Sequence, residues 1–476
     1  MAELVLICGL LAAYAIVPSG VDSALIWACL LLQYGLLVDA VRRPVTIYRG
    51  LPTYLTAEFL FLFFSYLVFF YPYQIHVLGI YDVSQSAFFQ DTFIDQSNHA
   101  ILLCSIGTMS FRAGIRTLRA PESRPAEPNR RTNRLDQVTA NAVVLPVFVM
   151  QVLLVVVYSA FGWKAAGEGR YSGQITGGPL VEGVYLAIVV LSMVSVAVWT
   201  LPGSREDPRS VLLSFSALLS SLWAVRLLLN GDRNSFMLIA IVAIGGLVTF
   251  RFRAGRWVLA VLCTVAIALY NAIEAFRSGK IGSVLDFFLG GWGVTAASYG
   301  GDTSFNISTV GVRAALASVP EHIDYGYGLY KLIGVGGVIP FIRGLMVPPD
   351  MPYIQSSDVL NDILLGTWAR WGVGSNVIVD IYVDFGVLAV PVLLFMLGLF
   401  VAFVQRSAAQ LPDSPWRAVF YLMTLALIAE IPRYSLDSPL RPLVWTLLLF
   451  WVVSLVSKSP GPPTRKSNGI DRFNVA

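Results

Sequence analysis

Apolar residues come along this chain in blocks of about 20, the length that crosses a bilayer as a helix. Short polar stretches separate them. The pattern predicts helices near residues 2–18, 21–39, 55–72, 97–113, 139–162, 179–201, 210–230, 235–251, 257–275, 377–404, 416–432 and 441–457. That is about twelve membrane spans in an all-α polytopic protein. The polar connections fall into two alternating sets. One holds "VRRPVTIYRG", the basic stretch Arg112 to Arg134, "GSREDPRS", "RFRAGR", "QRSAAQLPDSPWR" and the tail 458–476, and it carries 21 of the 33 Lys and Arg. By the positive-inside rule this set is cytoplasmic, with both termini. The other set faces out, and its first long loop, Pro72 to Ala100, has no Lys or Arg.

Two segments depart from this ladder within what otherwise reads as one membrane domain, 1–476. Residues 276–376 mix aromatic, Gly and Pro residues with isolated charges, as in "SVLDFFLGGWGVTAASYGG" and "LYKLIGVGGVIPFIRGLMVPP". A solvated loop of that length would be more polar. The segment therefore reads as interfacial helices and turns capping the bundle on its outer face. Residues 113–135, Pro- and Arg-rich, read as a flexible cytoplasmic linker.

Composition fixes the class. Apolar residues make up 56% of the chain and charged residues 13%, with mean hydropathy +0.69. Soluble domains carry about 25% charged residues. The net charge of +4 says less than its distribution. Cys8, Cys29, Cys104 and Cys263 all lie in apolar segments without metal-ligand or CxxC spacing, and read as inert. The first apolar run, Leu4 to Val17, lacks a basic leader and an A-x-A site and reads as a retained helix. The chain has no Gly-rich phosphate loop, HExxH, nucleophile elbow or internal repeat. Neither a cofactor nor nucleic acid is expected as a partner; membrane lipids are.

The outer set poses the functional question. It includes Arg226, Arg233, Arg277, Arg343, Arg370, Arg433 and Arg441, at helix ends or in the capping segment. A guanidinium near the bilayer is costly unless it is paired, snorkels or lines a wet cavity. Snorkelling suffices for one or two. For the set, an anion site open to the outer face is the sharper reading, because arginine binds phosphate with a bidentate fork and never deprotonates. A lipid-linked diphosphate is an anion suited to that place. Asp380 and Asp384 stand at i, i+4 and share a helix face. They could act as general base toward a sugar hydroxyl or simply pair with the arginines. Asp362, Glu321, Asp324 and Asp437 lie on the same side. Aromatic residues of the outer segment (Trp292, Tyr325, Tyr327, Tyr330, Trp368, Trp371) could stack on sugars or anchor at the interface. His322 in "PEHIDYGYG" reads as a plain loop residue.

Five local patterns, in order, resemble the Wzy-type oligosaccharide repeat-unit polymerases of O-antigen and exopolysaccharide synthesis. They are "GDRNSFMLIAIVAI", "AFRSGK", "VPEHIDYGYGLYKLIGVGGVIPF", "GVGSNVIVDIYVDFGVLAV" and "PRYSLDS", spread over residues 225–450. The resemblance implies a glycosyltransferase C-like membrane enzyme of the bacterial inner membrane that needs no metal. It would transfer the growing glycan from undecaprenyl diphosphate onto the non-reducing end of a new lipid-linked unit. It also implies a chain-length regulator as a partner. On this reading Arg226, Arg233, Arg277, Arg343 and Arg433 hold diphosphate, and Asp380 or Asp384 is the base. Tyr325, Tyr327, Trp368, Arg370 and Tyr382 would contact glycan. The family pattern usually has Glu and Asn where this chain has Asp380 and Asp384, which leaves the base open. An O-antigen ligase acting on lipid A core is the nearest alternative, with His322 as its one available histidine. A transporter of lipid-linked glycan would instead place charges near mid-bilayer.

Overall fold

The computed structural model describes residues 2–48, 51–80, 93–118, 134–164, 178–202, 210–230, 232–277, 304–339, 342–348, 351–366, 372–411 and 413–456. These residues are helical apart from turns and one two-stranded ribbon, where Val45–Tyr48 pairs antiparallel with Leu51–Thr53. The helices are α1 (Ala2–Ile16), α2 (Ser23–Arg42), α3 (Ala57–Ser65), α4 (Tyr71–Val77), α5 (Ser97–Thr117), α6 (Ala140–Ala160), α7 (Pro179–Thr200), α8 (Ser210–Leu229), α9 (Arg233–Phe250) and α10 (Arg256–Arg277). They continue with α11 (Ser304–Ser318), α12 (Leu329–Gly336), α13 (Ile342–Met346), α14 (Ser356–Leu365), α15 (Val377–Phe385), α16 (Ala389–Gln410), α17 (Pro415–Glu430) and α18 (Leu440–Val456). A π turn, Tyr66–Phe70, joins α3 to α4.

Among the described residues, seven helical stretches are long and apolar enough to cross a membrane: α2, α3 through α4, α6, α7, α8, α9 and α16. Helices also occupy the other five places where spans were expected: α1, α17 and α18 are shorter, α5 is less apolar, and most side chains in the last turns of α10 lie outside the described residues. The reason is visible for α5 and α17. Both run through the middle of the bundle and are buried almost all round. A central helix meets other helices rather than lipid, so it can carry small polar residues. In α5, Ser105 and Ser110 donate back to the carbonyls of Ile101 and Ile106 at 2.8 and 2.7 Å. Outer helices show the reverse, with Leu31, Leu153, Leu218 and Phe403 exposed.

Close approach is built with glycine. A Cβ on Gly114 of α5 would overlap the Phe395 carbonyl of α16, and one on Gly398 would overlap the Phe111 carbonyl. Polar glue joins α6, α7 and α8. Gln151 donates to Ser220 at 2.8 Å and to Ser192 at 3.2 Å, and accepts from Ser216 at 2.9 Å.

Contacts gather the helix ends that the alternating pattern puts together. At one end Arg112 and Arg116, late in α5, bond Asp39 of α2. Arg116 also reaches Glu3 of α1 at 2.7 Å, and Arg112 reaches Glu58 of α3 at 3.5 Å. At the other end Asn98 of α5 donates to Pro18 at 3.0 Å and accepts from the Asp22 amide at 2.9 Å.

One stretch differs from the sequence expectation. Residues 377–404 form two helices rather than one. Gly386, at φ 82°, takes the left-handed conformation that favours glycine and ends α15, its amide bonding Tyr382 at 2.7 Å. Within 276–376, α11 packs against the bundle. Its Arg313 is fully buried with the guanidinium 5.8 Å above the Tyr73 ring. Residues 278–303, 119–133 and 457–476, most of the expected linker and the whole of the tail among them, lie outside the described residues.

Candidate active site

At the second end of the bundle lies a cavity of about 490 Å³. It collects the first turns of five helices. Asn234 comes from α9, Tyr330 and Lys331 from α12, Ser356 and Ser357 from α14, Asp380 from α15, and Arg441 from α18. The 3-10 turn Ile431–Arg433 that ends α17 adds Arg433, and the following residues add Tyr434, Ser435, Asp437 and Ser438. Helix N-termini carry positive partial charge and unpaired amides. Carboxylates offset part of it here. Asp232 caps α9 through the amides of Asn234 and Ser235 at 3.1 and 3.2 Å. Asp358 folds back on α14, accepting from Ile354 and Gln355 at 3.0 and 3.1 Å. The wall itself then carries three cations, Lys331, Arg433 and Arg441, against two carboxylates, Asp380 and Asp437.

Asp380 ties the site together. Its Oδ1 accepts from Lys331 Nζ and from Ser356 Oγ, each at 2.6 Å, and its Oδ2 accepts from the Leu436 amide at 2.7 Å. One carboxylate thus joins α12, α14, α15 and the turn before α18. Asp384 lies one helical turn further on and is fully buried. It accepts from the amides of Gly328 at 2.8 Å and Lys331 at 3.1 Å, with the Lys331 ammonium 3.8 Å away. Burial pushes its carboxyl above the usual range, and Lys331 and the two amides pull the other way without cancelling it. Tyr330, in the wall, has its hydroxyl pushed up by burial and by the charge of Asp384.

The expected site residues therefore separate. Asp380 and Arg433 line the cavity, while Asp384 sits behind the wall and shapes α12. Arg233 is buried in the first turn of α9, beside the lining residue Asn234, whose amide donates to the Tyr434 hydroxyl. Arg226 is elsewhere, its guanidinium 4.4 Å above the Trp223 ring and 5.5 Å above Tyr158. Tyr325, Tyr327 and Tyr382 form an edge-to-face cluster with centroids 6.0 to 6.2 Å apart, outside the cavity wall. Tyr382 is buried and donates to the Val319 carbonyl at 2.6 Å, whereas Tyr327 is 79% exposed. The side chains of Arg277 and Arg343, and residues Trp368 and Arg370 as a whole, lie outside what the structure describes.

Sequence reasoning missed Lys331, and it left Arg441 and Asp437 out of the site. Lys331 follows "YGYG" by three positions and is one of five lysines in the chain. Arg441 is held by its own bond to the Gly337 carbonyl at 2.6 Å and lies 5.9 Å from the Trp445 ring. Among the described residues no three His, Cys, Asp or Glu side chains converge as a metal site.

Fold and cavity together define a polytopic helical membrane protein with an arginine- and lysine-lined cavity at one end of its bundle. The family model described as O-antigen polysaccharide polymerase Wzy matches residues 3–460, nearly the whole chain, and the chain belongs to that family. Its members polymerise O-antigen repeat units and act on lipid-linked oligosaccharides in membranes. No curated protein and no solved structure matches the chain.

Proposed function

We propose that this protein polymerises undecaprenyl-diphosphate-linked oligosaccharide repeat units at the outer face of the bacterial cytoplasmic membrane. The bundle crosses about twelve times in a glycosyltransferase C-like arrangement, with both termini inside and the cavity outside. The growing glycan moves from its lipid diphosphate onto the non-reducing end of a new lipid-linked unit, and undecaprenyl diphosphate leaves.

One observation carries this reading: Arg433, Arg441 and Lys331 line one cavity formed by five helix N-terminal turns. A glycosyl diphosphate is already activated. What it needs is compensation of the charge that grows as the diphosphate departs, and fixed cations and amides supply that without reorganising. Arginine suits the task because its fork matches two phosphate oxygens. Lys331 is held by Asp380, so Arg433 and Arg441 carry most of the diphosphate binding, with Arg233 behind them. Tyr327 and Tyr325 offer a surface for the glycan at the rim. The ligase alternative is weaker because His322 is exposed and outside the cavity wall. The transport alternative is weaker because the lining charges gather at one end of the bundle.

The test is reconstitution. Purified protein in nanodiscs, given the native lipid-diphosphate repeat unit alone, should produce a ladder of polymer lengths. Arg433→Ala should slow it by about 10²- to 10³-fold, the scale of losing one charge-stabilising donor. A wild-type preparation that yields no ladder, but carries the intact lipid between leaflets, would replace the polymerase with a transporter.

A further inference from the structure

We propose that Asp437 is the group that takes the proton from the acceptor hydroxyl, an assignment that rests on the polymerase reading above. Two carboxylates near the cavity, Asp232 and Asp358, are spent on helix caps, and the surroundings of three others, Asp380, Asp384 and Asp437, separate them. Asp384 is fully buried behind the wall and spends its oxygens on the amides of Gly328 and Lys331. Asp380 is in the wall, but its oxygens already accept from Lys331, Ser356 and the Leu436 amide. Three of the roughly four lone-pair sites of that carboxylate are thus occupied, one of them by an ammonium that favours its charged form and lowers its basicity. Asp437 lines the same cavity and, among the described residues, has no share in the ion pairs that tie Lys331 to Asp380 and Asp384.

Its placement is fixed from both sides. The Leu436 amide just before it is held by Asp380 at 2.7 Å, and its own carbonyl accepts from the Leu440 amide at 3.0 Å as α18 begins. Its carboxylate packs on the backbone of α12 at Gly334, where any Cβ would overlap Oδ2. Glycine at that position lets the acid lie against the helix. The charged and titratable groups sharing its cavity are Lys331 and Tyr330 of α12, Asp380 of α15, Arg433 and Tyr434 before it, and Arg441 of α18. Burial and the charge of Asp380 push its carboxyl up, against the pull of Lys331 and of the hydrogen bonds it accepts from its own amide and the Ser435 hydroxyl, and a carboxylate so raised is a better proton acceptor near neutrality.

The step balances as a simple displacement. The acceptor hydroxyl oxygen forms a bond to the anomeric carbon of the growing glycan. The bond from that carbon to the diphosphate oxygen breaks, and its electron pair leaves with the diphosphate. The hydroxyl proton moves to Asp437, which returns it to water before the next round.

Initial rates of ladder formation should be measured against pH and against substrate for wild type, Asp437→Asn, Asp437→Glu and Gly334→Ala. Wild type should lose rate on the acid side as Asp437 takes up a proton. Asp437→Asn should lower kcat by about 10²- to 10⁴-fold with KM little changed and the acid limb gone, as for loss of a general base. Asp437→Glu should recover part of the rate. Gly334→Ala keeps the carboxylate but displaces it, and should lower kcat with melting intact, so the proposal is tested even if Asp437→Asn does not fold. Full kcat in Asp437→Asn or Gly334→Ala, or an acid limb that persists in Asp437→Asn, overturns the assignment while the polymerase stands. A wild type that makes no ladder overturns the polymerase reading and this inference with it.

Discussion

The two ends of the bundle use the same residue types to opposite purposes. Where α2 and α5 finish, Arg112 and Arg116 bond Asp39 and reach Glu3 and Glu58, so each guanidinium meets acids of several helices. Nearby Arg417 makes a fork to Asp136 at 2.7 and 3.0 Å. At the opposite end Arg433 and Arg441 border about 490 Å³ of open space, and the lining acid Asp380 is taken up by Lys331. An arginine enclosed among acids of several helices staples them, whereas one that also borders open volume can hold a ligand's charge. Arginine count does not make a site; the balance of cations, acids and space around them does.

The largest effects should separate along that line. Arg433→Ala should cost about 10²- to 10³-fold in polymerisation rate while leaving the melting temperature near wild type. Arg112→Ala should do the reverse. It takes one arginine from Asp39, which keeps Arg116 and Arg43, and the 3.5 Å contact from the buried Glu58, which should destabilise by about 1–3 kcal/mol while the folded fraction keeps its rate. Rates and detergent-solubilised melting curves on both variants decide it. If Arg112→Ala kills activity without loosening the fold, the two ends are not functionally distinct.

Lys331→Ala should show both signatures at once. The ammonium pairs with Asp380 at 2.6 Å and stands 3.8 Å from Asp384, whose side chain is fully buried. Its loss should destabilise by about 3 kcal/mol and slow transfer as the wall loosens. A variant that melts like wild type would mean that the Asp380 hub does not depend on its lysine. Packing alone is tested further from the site. Gly398→Ala forces a methyl onto the Phe111 carbonyl and should cost about 1–3 kcal/mol in melting experiments, with the rate per folded molecule unchanged.

Much of the fold could be read from the chain because lipid imposes a strong and local rule: about 20 apolar residues per crossing, with basic connections on one side. The rule is weakest where helices meet only each other. It placed α5 and α17 but could not tell that they are central, which is why their hydropathy falls short of a lipid-facing span. The break at Gly386 was hidden because a glycine inside an apolar run shows its left-handed conformation only once Tyr325 packs on it, 3.4 Å from where a Cβ would stand. The site was half legible. Asp380 and Arg433 stand out as charges at predicted helix ends. Lys331, Arg441 and Asp437 become meaningful only when α12 folds back over the turn before α18, a contact between residues more than 100 positions apart.

The smallest expected effect sharpens the comparison most. Arg226 and Arg233 lie seven residues apart and look alike in sequence. In the fold Arg226 spends its guanidinium on the faces of Trp223 and Tyr158, and its helix α8 contributes nothing to the cavity wall. Cation–π contacts of a partly exposed arginine contribute about 0.5–1 kcal/mol. Arg226→Gln should therefore change polymerisation by less than the roughly fivefold factor that 1 kcal/mol represents. Arg233→Gln, beside Asn234 in the wall, should exceed it. Equal and large losses from both would return Arg226 to the diphosphate site. That could happen only if the start of α9 and the end of α8 turn toward the substrate together when it binds, so the pair of variants also reports on whether the cavity closes around its ligand.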